Sequence, residues 1–229
     1  MNAMLSVCRR EFSGYFLTPI GYVVVGMFSV ISGIAFTLSL LTYAKMSLAP
    51  TSYGFTSVPD FAETLLSPYL VFCGMLIMFL SPLITMRLVA EEKNRGTMEL
   101  LWTWPLRDRD IIFGKYLAAL GMLLIMMLVV GVHLVLVGRL TPLEPAVLAF
   151  GLLTVALMGA AFLSLGMFIS SLVRSQITAG TVTFGVSLLL YIAGNLGEQL
   201  PEANPTPAAW PELLRQTVGQ GYGIFRGLV

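Results

Sequence analysis

The residues of this chain that could do chemistry are few, and their spacing excludes most reactions. Gly114-Lys115 is the nearest approach to a phosphate-binding loop, yet it lacks the upstream glycine and is followed by Tyr116 instead of a hydroxyl residue. The pattern G-x-x-x-x-G-K-[ST] occurs nowhere, so the chain has no P-loop of its own with which to cradle ATP. No H-E-x-x-H occurs and His133 is the one histidine, which removes the zinc proteases. G-x-S-x-G is also absent, and with it the usual serine-hydrolase elbow. Cys8 lies beside a basic pair and Cys73 inside an apolar stretch, so no disulfide framework is expected. No catalytic, cofactor-binding or metal-binding residue is assigned.

The one stretch dense in polar groups runs from Met86 to Leu117, MRLVAEEKNRGTMELLWTWPLRDRDIIFGKYL. Helical residues continue from the preceding apolar stretch through Glu91, Glu92 and Lys93, and Gly96 offers a left-handed stop. Thr97 can cap a short helix, with Glu99 in its first turn facing the positive end of the dipole. Met98, Leu101 and Trp102 then share one side, and Pro105 lies just beyond. Asp108 or Asp110 can cap the helix that follows. A solvated connector reads the same way from composition alone. An apolar-faced helix held between two longer ones is also a lever that a partner can push.

The elements that hold this stretch are membrane spans. Of the 229 residues, 57% are apolar and 11% charged, with mean hydropathy +0.86. Soluble domains carry about 25% charged residues, so most of this surface faces lipid. A bilayer core of about 30 Å takes roughly 20 apolar residues in a helix. Five stretches qualify: Ile20–Leu41, Leu65–Met86, Tyr116–Gly138, Ala146–Ile169 and Ile177–Gly194, none containing Asp, Glu, Lys or Arg. Unpaired backbone is not tolerated in lipid, so these are helices. The expected fold is an all-α polytopic bundle forming a single membrane domain over 1–229. His133, near the outer end of the third span, reads as a hydrogen-bonded packing residue and not as a proton carrier.

Ahead of the first span, Leu5, Cys8, Phe12 and Tyr15 fall at helical spacing with Arg9 and Arg10 off the stripe, so Asn2 to Phe16 is expected to lie in the interface as an amphipathic helix. Arg9-Arg10 superficially resembles a twin-arginine signal, but Ile20–Leu41 is too long for a signal core and has no cleavage site. Arg9, Arg10, Arg87, Lys93, Arg95, Arg107, Arg109, Lys115 and Arg174 lie on one side, nine cations against Lys45, Arg139, Arg215 and Arg226 on the other. The positive-inside rule puts the nine, and the N-terminus, in the cytoplasm. Net charge is +1, which gives no reason to expect a nucleic-acid partner. Two rows of small residues, Gly26-Ser29-Gly33 and Ala156-Ala160-Ser164 followed by Gly166 and Ser170, are expected to mark packing faces, within this chain or against a second copy. The tail over 197–229, rich in proline and then glycine, suits short helices on the outer leaflet or dipping into it.

Glu11-Phe12, Tyr15-Phe16, Pro19-Ile20, Tyr22-Val23, Pro82 to Arg87, Ala90-Glu91-Glu92, Arg95-Gly96-Thr97, Glu99-Leu100-Leu101, Thr103, Pro105, Gly114-Lys115 and Ser170-Ser171-Leu172 together carry a resemblance. The chain resembles a permease subunit of the ABC-2-type transporter family, most closely the branch that includes gliding-motility-associated permeases. Trp102 and Trp104 stand where such permeases often have smaller residues.

The resemblance implies six spans, an interfacial helix before the first, and a coupling helix between the second and third, here Arg95 to Pro105. The coupling residues would be Gly96, Thr97, Met98, Glu99, Leu101, Trp102 and Pro105. Glu91 or Glu92 is expected to pair with Arg9 or Arg10 at the inner interface. The resemblance further implies a separate cytoplasmic ATPase subunit that holds ATP and magnesium, and a second membrane subunit, identical or related. The location implied is a bacterial-type inner membrane. Because five spans leave the C-terminus outside, a sixth is expected beyond Val229. A membrane anchor that recruits a cytoplasmic complex through the same loop, without transport, is the alternative reading.

Overall fold

The computed structural model describes residues 3–48, 60–90, 108–139 and 145–199, and among these there is no strand. Its helices are α1 (Ala3–Leu17), α2 (Pro19–Leu48), α3 (Ser67–Thr85, entered through a π turn at Ala62–Leu66), α4 (Asp108–Gly138), α5 (Pro145–Leu172) and α6 (Gln176–Gln199). All but α1 are long and apolar enough to cross a membrane. The protein is an all-α membrane helix bundle, with five such helices among the described residues.

Local chemistry sets the breaks. Thr18 precedes Pro19, whose ring disfavours helical backbone in the residue before it, and the chain turns there from α1 into α2. Thr18 Oγ1 donates to the Gly14 carbonyl at 3.0 Å, closing the end of α1. At the start of α3, Pro68 has no N–H with which to continue an i→i−4 ladder. The Ser67 N–H bonds the Ala62 carbonyl, five residues back, so this turn has π spacing. Asp60 steadies the same turn, its carboxylate accepting from the Glu63 N–H at 3.4 Å.

α3 is the central helix. Tyr69, Leu70, Cys73, Ile77 and Met78 are almost wholly buried along its length, with α2, α4, α5 and α6 packed around it. Pro82 lies inside α3 and withholds an N–H from the Met78 carbonyl. The buried Ser81 hydroxyl donates to that carbonyl at 3.0 Å, replacing the missing bond.

Three expectations from the sequence change here, and one that the sequence leaves open is narrowed. First, the helix of the second span does not run unbroken to Ala90, which is helical again, and Glu91, Glu92 and Lys93 lie outside the described residues. The helix stops at Thr85, and a turn covers 86–88. Second, Lys115 is not a loop cation. It sits within α4, one turn and more past Asp108, and only 2% of it is exposed. Third, the buried row of α5 is Gly151, Val155, Gly159, Leu163, Gly166 and Ser170, so of the expected small residues Gly166 and Ser170 are buried, Ala156 and Ala160 are half-buried, and Ser164 is exposed. A side chain at Gly159 would put its Cβ 2.7 Å from Leu123. Fourth, no neighbour comes within 4 Å of where a Cβ would stand on Gly26, and only His133 does so at Gly33, so that row does not pack tightly against this chain's own helices.

A candidate coupling junction at the α1 end of the bundle

Residues 91–107 join α3 to α4, so Gly96, Thr97, Met98, Glu99, Leu101, Trp102 and Pro105 lie outside the described residues, as do Glu91 and Glu92. What the structure describes is the framework on either side: the end of α3, the start of α4, and α1 laid across both.

α1 runs along the first turns of α4 on a track of small residues. Gly114, Ala118 and Gly121 recur at i, i+4 and i+7, which is one helix face. A Cβ on Gly114 would stand 2.9 Å from both the Met4 carbonyl and the Val7 side chain, and one on Gly121 2.9 Å from the Phe12 ring. No larger residue fits without lifting α1. Val7 and Tyr15 are buried on this face, whereas Leu5, expected on it, is 52% exposed.

The track carries an ion pair. Lys115 Nζ reaches Glu11 Oε1 at 3.2 Å, with the lysine side chain 3% exposed and the glutamate 20%. Arg10 donates to the same oxygen at 2.8 Å. Arg10 therefore does face a carboxylate, but the one described is its neighbour in α1. A buried ammonium is tolerated only where an opposite charge or hydrogen-bond acceptors meet it. Glu11 does this from a helix whose sequence position is far from α4, fastening α1 to α4 in one register.

The second fastening is to α3. After Thr85 the Leu88 N–H bonds the Thr85 carbonyl at 3.1 Å, three residues back instead of four. That choice leaves the Ile84 carbonyl without its helical donor, the usual condition of a helix C-terminus. The Tyr15 hydroxyl supplies one, donating to it at 3.0 Å in a buried setting. Burial pushes the Tyr15 phenol well above its ordinary range; the Glu11 carboxylate adds to the shift and Arg87 opposes it. The phenol stays protonated and remains a donor.

Two further bonds complete the junction. Arg87 Nη1 donates to Thr18 Oγ1 at 3.3 Å, tying the turn after α3 to the corner between α1 and α2. That corner is tight: a Cβ on Gly21 would stand 2.5 Å from the Tyr15 carbonyl oxygen. On the other side, the Ala90 N–H donates to the buried Ser170 hydroxyl at 3.1 Å near the end of α5. Gly166, one turn earlier, lies so close to Thr85 that any side chain there would overlap it.

The structure thus brings together Glu11, Tyr15, Thr18, Arg87, Lys115 and Ser170, of which none was assigned a coupling or salt-bridge role from the sequence. Glu11, Tyr15 and Ser170 did stand among the residues of the resemblance, as did Arg87 and Lys115, and that was the available signal. The arrangement has no nucleophile–base pair, and among the described residues no group of His, Cys, Asp or Glu could hold a metal ion. Its capacity is mechanical. Any displacement of the 91–107 segment is applied to the end of α3 and the start of α4, and both are bonded to α1.

The sequence model of one protein family, described as ABC-2 family transporter protein, matches residues 34–210. The matched stretch covers well over half of the chain, from the middle of α2 past the end of α6, and includes the 91–107 segment. α1 lies ahead of it. A search of the curated proteins found no match.

Proposed function

Because the chain belongs to the ABC-2 transporter family, we propose that it is the membrane half of an exporter driven by a separate ATP-binding-cassette subunit. The chain is a multi-pass membrane component of an ABC transporter. On our reading ATP and magnesium are held by the cytoplasmic partner, since this chain has no P-loop sequence. Closure of the partner around ATP pushes the element over Arg95 to Pro105, with Leu101 and Trp102 as its apolar anchors. A second membrane subunit, identical or related, completes the path. The nine-to-four asymmetry of cations supports a cytoplasmic N-terminus in a bacterial-type inner membrane. The motifs quoted above support the gliding-motility-associated branch.

The observation that carries this reading is the bracing at both flanks of the loop. α1 is bonded to α3 through Tyr15 and Ile84, and to α4 through Glu11 and Lys115. A push on the loop then moves α1, α3 and α4 as one body instead of bending a free connector. The turn after α3 also reaches α5 through Ser170, which spreads the displacement further.

The test is co-purification with a P-loop ATPase, sought first among the products of neighbouring genes. Apolar anchors at an interface contribute about 2 kcal/mol or more each when truncated to Ala. The Leu101→Ala/Trp102→Ala double variant is expected to lose the ATPase on co-purification while still inserting into the membrane. Retention of the ATPase by that variant at wild-type yield would remove the lever from the account.

A further inference from the structure

At the end of the bundle opposite α1, three aromatic rings from three spanning helices meet. Tyr69 of α3 is wholly buried, and its hydroxyl lies 2.7 Å from Nδ1 of His133 on α4. Phe36 of α2 stacks on the imidazole, with centroids 4.9 Å apart and planes 15° from parallel. The same ring meets Tyr69 edge-on at 5.3 Å. Each helix therefore contacts the other two through one directional contact. Beside the cluster, Gly33 of α2 leaves room: a Cβ there would be 3.9 Å from His133 Nε2 and near nothing else.

The depth of this cluster gives it a meaning. His133 follows Lys115 by eighteen residues on one unbroken helix, about 27 Å at 1.5 Å per residue. That is close to the roughly 30 Å thickness of a bilayer core. The Lys115 and His133 contacts of α4 therefore stand at opposite boundaries of the hydrocarbon, with the Tyr116 hydroxyl, which donates to the Ala160 carbonyl at 3.0 Å, adding to the Lys115 end. Between them the buried residues of α4 are Ala118, Ala119, Met122, Leu123, Met126 and Val130. Such contacts resist separation but have little directional preference, so they allow small shifts of one helix along another. The positions of α4 are defined at its ends.

We propose that Phe36, Tyr69 and His133 form a latch that holds the far ends of α2, α3 and α4 together. Resting on the transport reading given above, its release is the far-end step of the cycle, with α4 carrying displacement from the 91–107 segment to His133. α4 is suited to this because it begins at that segment and carries the contacts at both boundaries.

The experiment uses the full chain in lipid nanodiscs, where both membrane faces are reachable. A thiol is placed beside the latch as Gly33→Cys in a Cys8→Ser/Cys73→Ala background, which removes both native thiols, and its rate of reaction with a maleimide is measured. Tyr69→Phe removes one hydroxyl and keeps the ring, so the fold is retained. Loss of one neutral hydrogen bond shifts an opening equilibrium roughly fivefold, and the labelling rate is expected to rise by about that factor. His133→Leu should do the same, and the double variant should add little to either alone. The native Cys8, read in Cys73→Ala chains without the Gly33 substitution, should label at an unchanged rate. Equal labelling of Gly33→Cys with and without the Tyr69 hydroxyl would overturn the latch, as would a matching rise at Cys8, which would mean general loosening. Addition of the ATPase partner and ATP to the Gly33→Cys chain with its latch intact separates the two ideas. Faster labelling supports release during the cycle. No response, with the variants still opened, would sustain the latch and overturn its coupling to ATP.

Discussion

Glu11→Ala is expected to destabilise the protein by about 2–3 kcal/mol, whereas Lys115→Met should change its stability by less than about 1 kcal/mol. The asymmetry follows from which partner is buried. Removing Glu11 leaves the Lys115 ammonium in place with 3% of its side chain exposed and without the carboxylate at 3.2 Å. Removing Lys115 leaves a carboxylate that is 20% exposed and still held by Arg10 at 2.8 Å. Methionine fills nearly the same space along α4 and brings no charge that must be met. Thermal unfolding of the purified variants in one detergent measures both. Equal losses for the two substitutions would mean that burial of Lys115 is not what makes Glu11 necessary.

The second large effect is expected at Gly166. Even one methyl there overlaps Thr85, which is itself wholly buried, and forced overlap in a packed interior typically costs about 1–3 kcal/mol. Gly166→Ala should fall in that range and Gly166→Val beyond it. Thr85→Ala, by emptying the space, should restore part of the loss in the double variant. Gly26→Ala is the control: a Cβ there meets nothing within 4 Å, and alanine is the better helix former by about 1 kcal/mol. It should be neutral or slightly stabilising. The same unfolding measurement decides. Similar losses at Gly166 and Gly26 would show that helix geometry, not contact with α3, governs these sites.

These two sites also mark where sequence reasoning succeeded and where it stopped. The five long helices were legible because lipid demands uninterrupted apolar length, a property of each segment alone. Small residues on α5 were legible as packing residues, but their direction was not. Gly166 and Ser170 were read together with Ala156, Ala160 and Ser164, and Gly159 was not; only the position of α3 and α4 decides which of them is buried. The end of α3 was misplaced for a related reason. Nothing within Thr85 to Lys93 requires a stop there; it is made tenable by Tyr15, a residue of another helix that satisfies the Ile84 carbonyl.

The charged pair is a different case. Arg9 and Arg10 were assigned to Glu91 or Glu92 because both sets lie near the same membrane boundary. Glu91 and Glu92 lie outside the described residues, so that pairing stands as an expectation from the sequence. The nearest carboxylate to Arg10 that the structure describes is Glu11, and Glu11 in turn serves Lys115. Lys115 was counted among the loop cations because a lysine so close to the start of an apolar stretch ordinarily marks its edge. It is instead buried beside Gly114, where the close approach of α1 covers it.

We propose that this membrane subunit is worked by a separate ATPase through the loop between α3 and α4. ATP turnover by the purified ATPase partner tests it most directly, measured alone, with the wild-type chain in nanodiscs, and with the Leu101→Ala/Trp102→Ala chain. The wild-type chain is expected to change the turnover rate several-fold, and the double variant, inserted equally well, is expected to leave it unchanged. Turnover that is the same in all three samples would contradict it.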